Sequence, residues 1–171
     1  MDLKTAVRKN RRRLATPMFL EKLSSVLGVS VEENALASIE TTDELAALIR
    51  TGYQTSTSPE AASYRRFFRE PQRDLVFRFA DRFSLFIPDE TAFFVPKQSY
   101  DCGAVRLKLA LLLSHVASVI RFDGDSLSAL SEDRQQGILI DHNAGDTEQA
   151  YEIAVWGDRW PLLAMNCERS P

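Results

Sequence analysis

Apolar residues recur at helical spacing along the first third of the chain. Leu3, Val7 and Leu14 fit one helix. Thr16-Pro17 then predicts a helix start, because threonine can cap and proline lacks an N–H that has no partner in a first turn. Phe19, Leu20, Leu23 and Val26 form the next apolar face, and Gly28 is placed to end it. Two capping boxes follow. Ser30 with Glu33 predicts a short helix over Ala35 to Ile39, and Thr41 with Glu44 predicts another carrying Leu45, Leu48 and Ile49, closed by Gly52. Gln54 to Ser58 reads as a mobile loop, and Ser58-Pro59-Glu60 opens one more helix with Tyr64, Phe67 and Phe68.

The period then changes. Phe83, Leu85 and Ile87 alternate with Ser84 and Phe86, and after Pro88-Asp89-Glu90 the run Ala92 to Val95 is apolar, which predicts a β-hairpin with an acidic turn. Leu75 to Phe79 reads as a strand before it. Asp101 to Phe122 reads as one long helix: Val105, Leu109, Leu112, Leu113, Val116 and Ile120 fill a broad stripe, and Asp123-Gly124-Asp125 ends it. A short helical piece over Leu127 to Leu130 follows. Ile138 to Ile140, Tyr151 to Trp156 and Leu162 to Met165 read as strands, with turns at 141–146 and Gly157-Asp158. The order of elements predicts a single α+β domain over 1–171. Residues 1–70 are its mainly helical part, and 74–171 form an antiparallel β-sheet packed on one long central helix.

Composition narrows the class. With 171 residues and 44% hydrophobic residues, the chain can bury a core without disulfides. Two cysteines, Cys102 and Cys167, suit a reducing compartment, so a cytoplasmic location is expected. The most apolar run, Leu107 to Ile120, is too short for a membrane span, and no apolar leader follows the basic start.

Charge is split along the chain. The net value is −3, yet residues 1–13 hold six basic side chains against Asp2 alone, while residues 123–158 hold nine acids against Arg134 alone. An acidic surface of that kind would steer a basic partner. Tyr151, Trp156 and Trp160 are interleaved with those acids, and an outward Trp156 would anchor a contact.

Chemical motifs are few. Cys102 stands at the expected start of the long helix, where free N–H groups favour a thiolate. Tyr100-Asp101-Cys102-Gly103 resembles the nucleophile box of papain-like and cell-wall peptidase folds; the resemblance implies His142 as the base and Asp158 as the group that orients it. His115, in the apolar stripe, reads as a core or interface histidine. The spacing of Asp141, Asn143 and Glu152 fits part of a calcium loop, but Gly145 and Asp146 stand where a ligand and a glycine belong, so no metal is expected. Glycines form no phosphate-binding loop, and no cofactor is expected.

These features favour a non-catalytic protein-binding module over an enzyme. The expected form is a bacterial immunity protein or antitoxin that occludes a basic toxin through its acidic C-terminal half, with Asp141, Asp146, Glu148, Glu152, Trp156 and Asp158 as contact residues. A secretion-chaperone-like binder, a cysteine-dependent hydrolase using Cys102 and His142, and a nucleic-acid binder using the basic residues of 4–13 are the alternatives. The expected partner is a protein with a basic surface, not a nucleic acid or a membrane. The sequence leaves the oligomeric state and the strand order open.

Overall fold

A computed structural model of the chain describes residues 3–58, 62–143, 146 and 148–169. Helices α1 (Leu3–Leu27) and α2 (Ile39–Ser56) precede strand β1 (Ser63–Phe68) and helix α3 (Arg73–Phe86). Strand β2 (Thr91–Phe94), one turn of helix α4 (Ser99–Cys102) and strand β3 (Val105–Lys108) follow, then short helices α5 (Leu109–Ser114) and α6 (Val116–Phe122). Strands β4 (Ser126–Ser131), β5 (Gly137–His142) and β6 (Tyr151–Trp156) lead to helix α7 (Trp160–Arg169). The strands form one sheet in the order β1-β6-β5-β4-β2-β3, antiparallel throughout. The α+β class and the antiparallel sheet are those expected from the sequence.

Strand alternation assigns each side chain to a face. One face carries Tyr64, Phe68, Ile153, Val155, Ile138, Ile140, Leu127, Ala129, Phe94 and Val105, and these share a core with α3, α5, α6, α7 and the second half of α1. Tyr64 stacks on Phe79, Phe79 on Phe83, and Phe83 meets Trp160 edge-on, so an aromatic row ties β1 to α3 and α7. The other face carries Leu130, Ala154, Trp156 and Leu139, covered by Leu45, Ala46, Ile49 and Tyr53 of α2. All six residues of β4 are therefore buried. Both edge strands carry exposed cations, Arg65 and Arg66 on β1 and Arg106 and Lys108 on β3, a common protection against edge-to-edge pairing.

Several elements differ from the sequence expectation. Helix α1 runs straight through Thr16-Pro17; proline removes one ladder bond there, and buried Phe19, Leu20 and Leu23 hold the continuation against the core. The cap of α2 is Ser38, whose Oγ accepts the Thr41 N–H at 3.0 Å. The expected box at Thr41 and Glu44 lies inside the helix, and Glu44 pairs with Arg134 instead. At Ser30 only a 3₁₀ turn, Glu33–Ala35, forms. Gln54 to Ser56, expected as loop, ends α2, with Ser56 and Thr57 hydroxyls donating to backbone carbonyls. Pro59 and Glu60 lie outside the described residues, while Tyr64, Phe67 and Phe68 are on a strand, not a helix.

Residues expected as a strand and hairpin arm form α3, because Val76, Phe79, Ala80 and Phe83 bury at helical spacing while Leu85 faces solvent. The long central helix does not exist as one piece. Gly103, at φ +96°, stops α4 after one turn, Val105 to Lys108 pair with β2, and His115 at φ −113° and ψ 18° separates α5 from α6. Leu127 to Leu130 are strand rather than helix. Leu162 to Met165 are helix rather than strand: the Gln136 side-chain oxygen accepts the Arg159 and Trp160 N–H groups at 2.9 and 3.0 Å and opens α7 from a distance.

Gly52 does not end α2; it lies within the helix, against the indole of Trp156. A Cβ at Gly52 or at Gly137 would overlap the indole ring. In an open helix Gly→Ala stabilises by about 1 kcal/mol. Here Gly52→Ala is expected to destabilise by about 1–2 kcal/mol through overpacking. Denaturant midpoints check this, and in a Trp156→Leu background the same substitution is expected to become neutral or stabilising.

Asp123 is buried and accepts the Lys97 N–H with both oxygens, at 2.8 and 3.1 Å. Burial pushes its carboxyl up to about 7, against the opposing effect of the Lys97 bond. The unfolded value is about 3.9. The folded state therefore binds this proton more tightly, and the stabilisation is complete below about pH 4 and lost as pH rises through about 7. Between pH 5 and 8 the wild type is expected to lose on the order of 2 kcal/mol relative to Asp123→Asn, read from paired urea titrations.

Candidate functional site

The six expected contact residues fall into three places. Asp141 and Glu152 face each other across β5 and β6 on the face that α2 covers. Glu152 accepts the Tyr53 hydroxyl at 3.0 Å and forms an ion pair with Arg65. Burial raises the Asp141 carboxyl. Trp156 is 8% exposed beneath α2, so it is not an outward anchor; the covering helix removes that role. With Asp158 it borders a hollow of about 360 Å³ between α2 and the β4–β5 turn. Asp146 and Glu148 lie in the β5–β6 loop, where Asp146 accepts the backbone N–H groups of Glu148 and Gln149. The length of β6, at about 3.3 Å per residue, sets Asp158 roughly 20 Å from that loop. The run of C-terminal acids is thus not one surface, and Glu132 and Glu90 nearby are neutralised by Arg106 and Arg159.

Cys102 and His142 do not meet either. Cys102 is 2% exposed, and burial, aided by Asp101, raises its thiol pKa. It borders a cavity with Phe19 and Phe122, whereas His142 borders a different one with Tyr151. Asp158 lies beyond the far end of β6 from His142's partner Tyr151. His115 bonds locally, with Nδ1 3.0 Å from the Leu111 carbonyl oxygen. Neither Cys102 nor Cys167, whose thiol burial pushes up to about 11, is expected to react with iodoacetamide at pH 8 in the folded protein. Both are expected to label once urea unfolds it, a contrast that intact-mass spectrometry reads directly.

The basic start is partly internal. Arg8 makes a forked ion pair with Asp43 at 2.5 and 2.6 Å and lies 4.2 Å from the Tyr100 ring centroid; that bond lowers the Asp43 carboxyl. Arg12 donates to the Ala37 carbonyl and packs over Gly103, where a Cβ would come within 2.6 Å of its guanidinium. Lys9, Arg11 and Arg13 remain exposed.

The same helix shows a stripe that faces away from the core. Leu3, Val7, Leu14 and Met18 recur at intervals of four, seven and four, and share one helix face. They are 77%, 46%, 68% and 58% exposed. Exposed Arg11 and Lys22 border that face on one side, and Glu21 closes it near the C-terminal end. The opposite face is filled by Phe19, Leu20, Leu23 and Leu27, so the outward row is not needed for the core.

His142 stands between two carboxylates and an aromatic ring. Its Nε2 lies 3.2 Å from Glu70 and its Nδ1 3.6 Å from Asp125. The ring stacks on Tyr151, with centroids 4.4 Å apart. Sequence reasoning found His142 but not Glu70, Asp125 or Tyr151 as its neighbours. The only sequence signal was the Gly124-Asp125 turn, and the pairing of β5 with β6 is what delivers Tyr151. Comparison with protein-family models, curated proteins and solved structures found no match to this chain. No helix among the described residues is long and apolar enough to cross a membrane.

Proposed function

We propose that the chain is a non-catalytic protein-binding module and that α1 is its docking surface. The observation that carries this reading is the row Leu3, Val7, Leu14 and Met18, four large apolar side chains exposed on a helix whose other face is already packed. Exposed apolar side chains that continue along one face mark an interaction site rather than scattered surface residues. Arg11 and Lys22 along its edge select the partner: an amphipathic helix of another protein, with carboxylates beside its apolar face.

The finer reading, an immunity protein or antitoxin that blocks a basic toxin through Asp141, Asp146, Glu148, Glu152, Trp156 and Asp158, draws less from the geometry. Trp156 lies under α2, and Glu152 is engaged by Arg65 and Tyr53.

Capture from the native source with variants tests the assignment. A partner held by the wild type is expected to be lost, by about tenfold or more in affinity, with Leu14→Asp or Met18→Asp. Both positions are exposed, so the unfolding free energy should fall by no more than about 1 kcal/mol, the helix-propensity cost included. Glu148→Lys with Asp158→Lys should leave capture intact. Loss through the acidic pair instead would transfer docking to the C-terminal half. Self-association abolished by Leu14→Asp would make the partner a second copy, and binding to anionic vesicles alone would replace the protein partner by a membrane surface.

A further inference from the structure

The cavity beside His142 holds about 430 Å³ and is set between α3, α6 and the ends of β5 and β6. Its cations and its carboxylates have different occupations. Glu70 and Asp125 both face the imidazole, one at each ring nitrogen. Arg73, from the first turn of α3, and Arg121, from the last turn of α6, also line the cavity. Neither forms an ion pair among the described residues; Arg121 donates only through Nε, to the Ala117 carbonyl of its own helix at 3.3 Å. Two guanidinium groups thus border one hollow while the nearby acids are turned to a third group. Phe77 and Ile120 give the same hollow an apolar wall.

The backbone holds this arrangement in place. Asp125 sits at φ 82°, a left-handed conformation that costs a residue with a Cβ on the order of 1 kcal/mol. Its N–H donates to the Ile120 carbonyl at 2.8 Å, and its carbonyl accepts the His142 N–H at 2.7 Å. Those two bonds fix the turn and keep the Asp125 carboxylate beside the ring. Tyr151 supports the opposite side of the imidazole by stacking. With the ring held between the two acids, Arg73 and Arg121 are cations of this cavity with no ion pair among the described residues.

We propose that this cavity binds a small organic anion, a phosphate or carboxylate group held by Arg73 and Arg121 with an apolar body against Phe77 and Ile120. Arginine suits this task because its planar fork matches two oxygens of either group. The volume is in the range of small-ligand sites. The site lies on elements other than α1 and is independent of the docking surface proposed above.

The chain has two histidines, His115 and His142, so ring signals are assigned by one variant, His142→Gln. The full chain is titrated with phenyl phosphate, benzoate and inorganic phosphate while both histidine ring signals are followed by NMR. Phenyl phosphate or benzoate is expected to move the His142 signals saturably, with half-saturation near or below about 1 mM, and to leave His115 in place. Arg73→Gln and Arg121→Gln are each expected to weaken this about tenfold, with an unchanged His115 signal reporting the intact fold. Tighter binding of phenyl phosphate identifies a phosphoester as the preferred group, and tighter binding of benzoate a carboxylate. No saturable movement of His142 with any of the three, or equal affinity in the Arg73→Gln/Arg121→Gln double variant, would overturn the site. Inorganic phosphate binding as tightly as phenyl phosphate would overturn the apolar half of the ligand.

Discussion

The indole of Trp156 lies where two glycines leave room for it, Gly52 on α2 and Gly137 on β5. That contact lets α2 come down onto the sheet, and the descent of α2 covers its second face. A sheet covered on both sides has no solvent face along its central strands. Much else follows from this. Serines of β4 are buried along with its leucines, Tyr53 reaches Glu152 from α2, and the acids expected to form an outward surface are drawn partly beneath a helix. Side chains too large for either glycine position would lift α2 and reopen that face.

Two-sided burial also decides what could be read from the sequence. Tyr151 to Trp156 alternate and were legible as a strand because Glu152 interrupts the apolar run. Ser126 to Ala129 alternate polar and apolar, but Leu130 breaks the period, and Leu127 to Leu130 resemble a helical fragment. Val105 and Leu107 share their spacing with a helix stripe; only the positive φ of Gly103 and the waiting edge of β2 make them a strand. α7 is the clearest case of a non-local cause. Its first N–H groups are satisfied by Gln136, more than twenty residues upstream, so no local cap announces the helix. Gly28 and Gly124 were legible as stops, and both adopt positive φ, where a glycine avoids the Cβ penalty.

Charge followed the same logic. A count along the chain gave a basic start and an acidic end, but the ion pairs that form join each to residues between them. Arg8 reaches Asp43, Arg65 reaches Glu152, Arg134 reaches Glu44 and Arg159 reaches Glu90. Mostly exposed pairs such as these contribute little to stability. Two cations without an ion pair among the described residues, Arg73 and Arg121, are far apart in sequence and gave no signal there; α3 and α6 bring them to one cavity.

What folding does not require is the better guide to function in a chain of this kind. The packed face of α1 needs Phe19, Leu20, Leu23 and Leu27; nothing in the core needs Leu3, Val7, Leu14 and Met18 as well. The turn after α6 takes two successive left-handed residues, Gly124 and Asp125, and the second carries a side chain. Asp125 bears that strain and in return its carboxylate stands beside His142. Each feature has a local cost, water around apolar side chains in one case and backbone strain in the other; at Asp125 the backbone bonds to Ile120 and His142 oppose that cost. The two lie on different elements, α1 and the α6–β4 turn, yet α1 packs Phe19 against Phe122 at 5.6 Å, directly next to Arg121 in the chain. Helix α6 therefore meets the docking helix through Phe122 and lines the anion cavity through Ala117, Ile120 and Arg121.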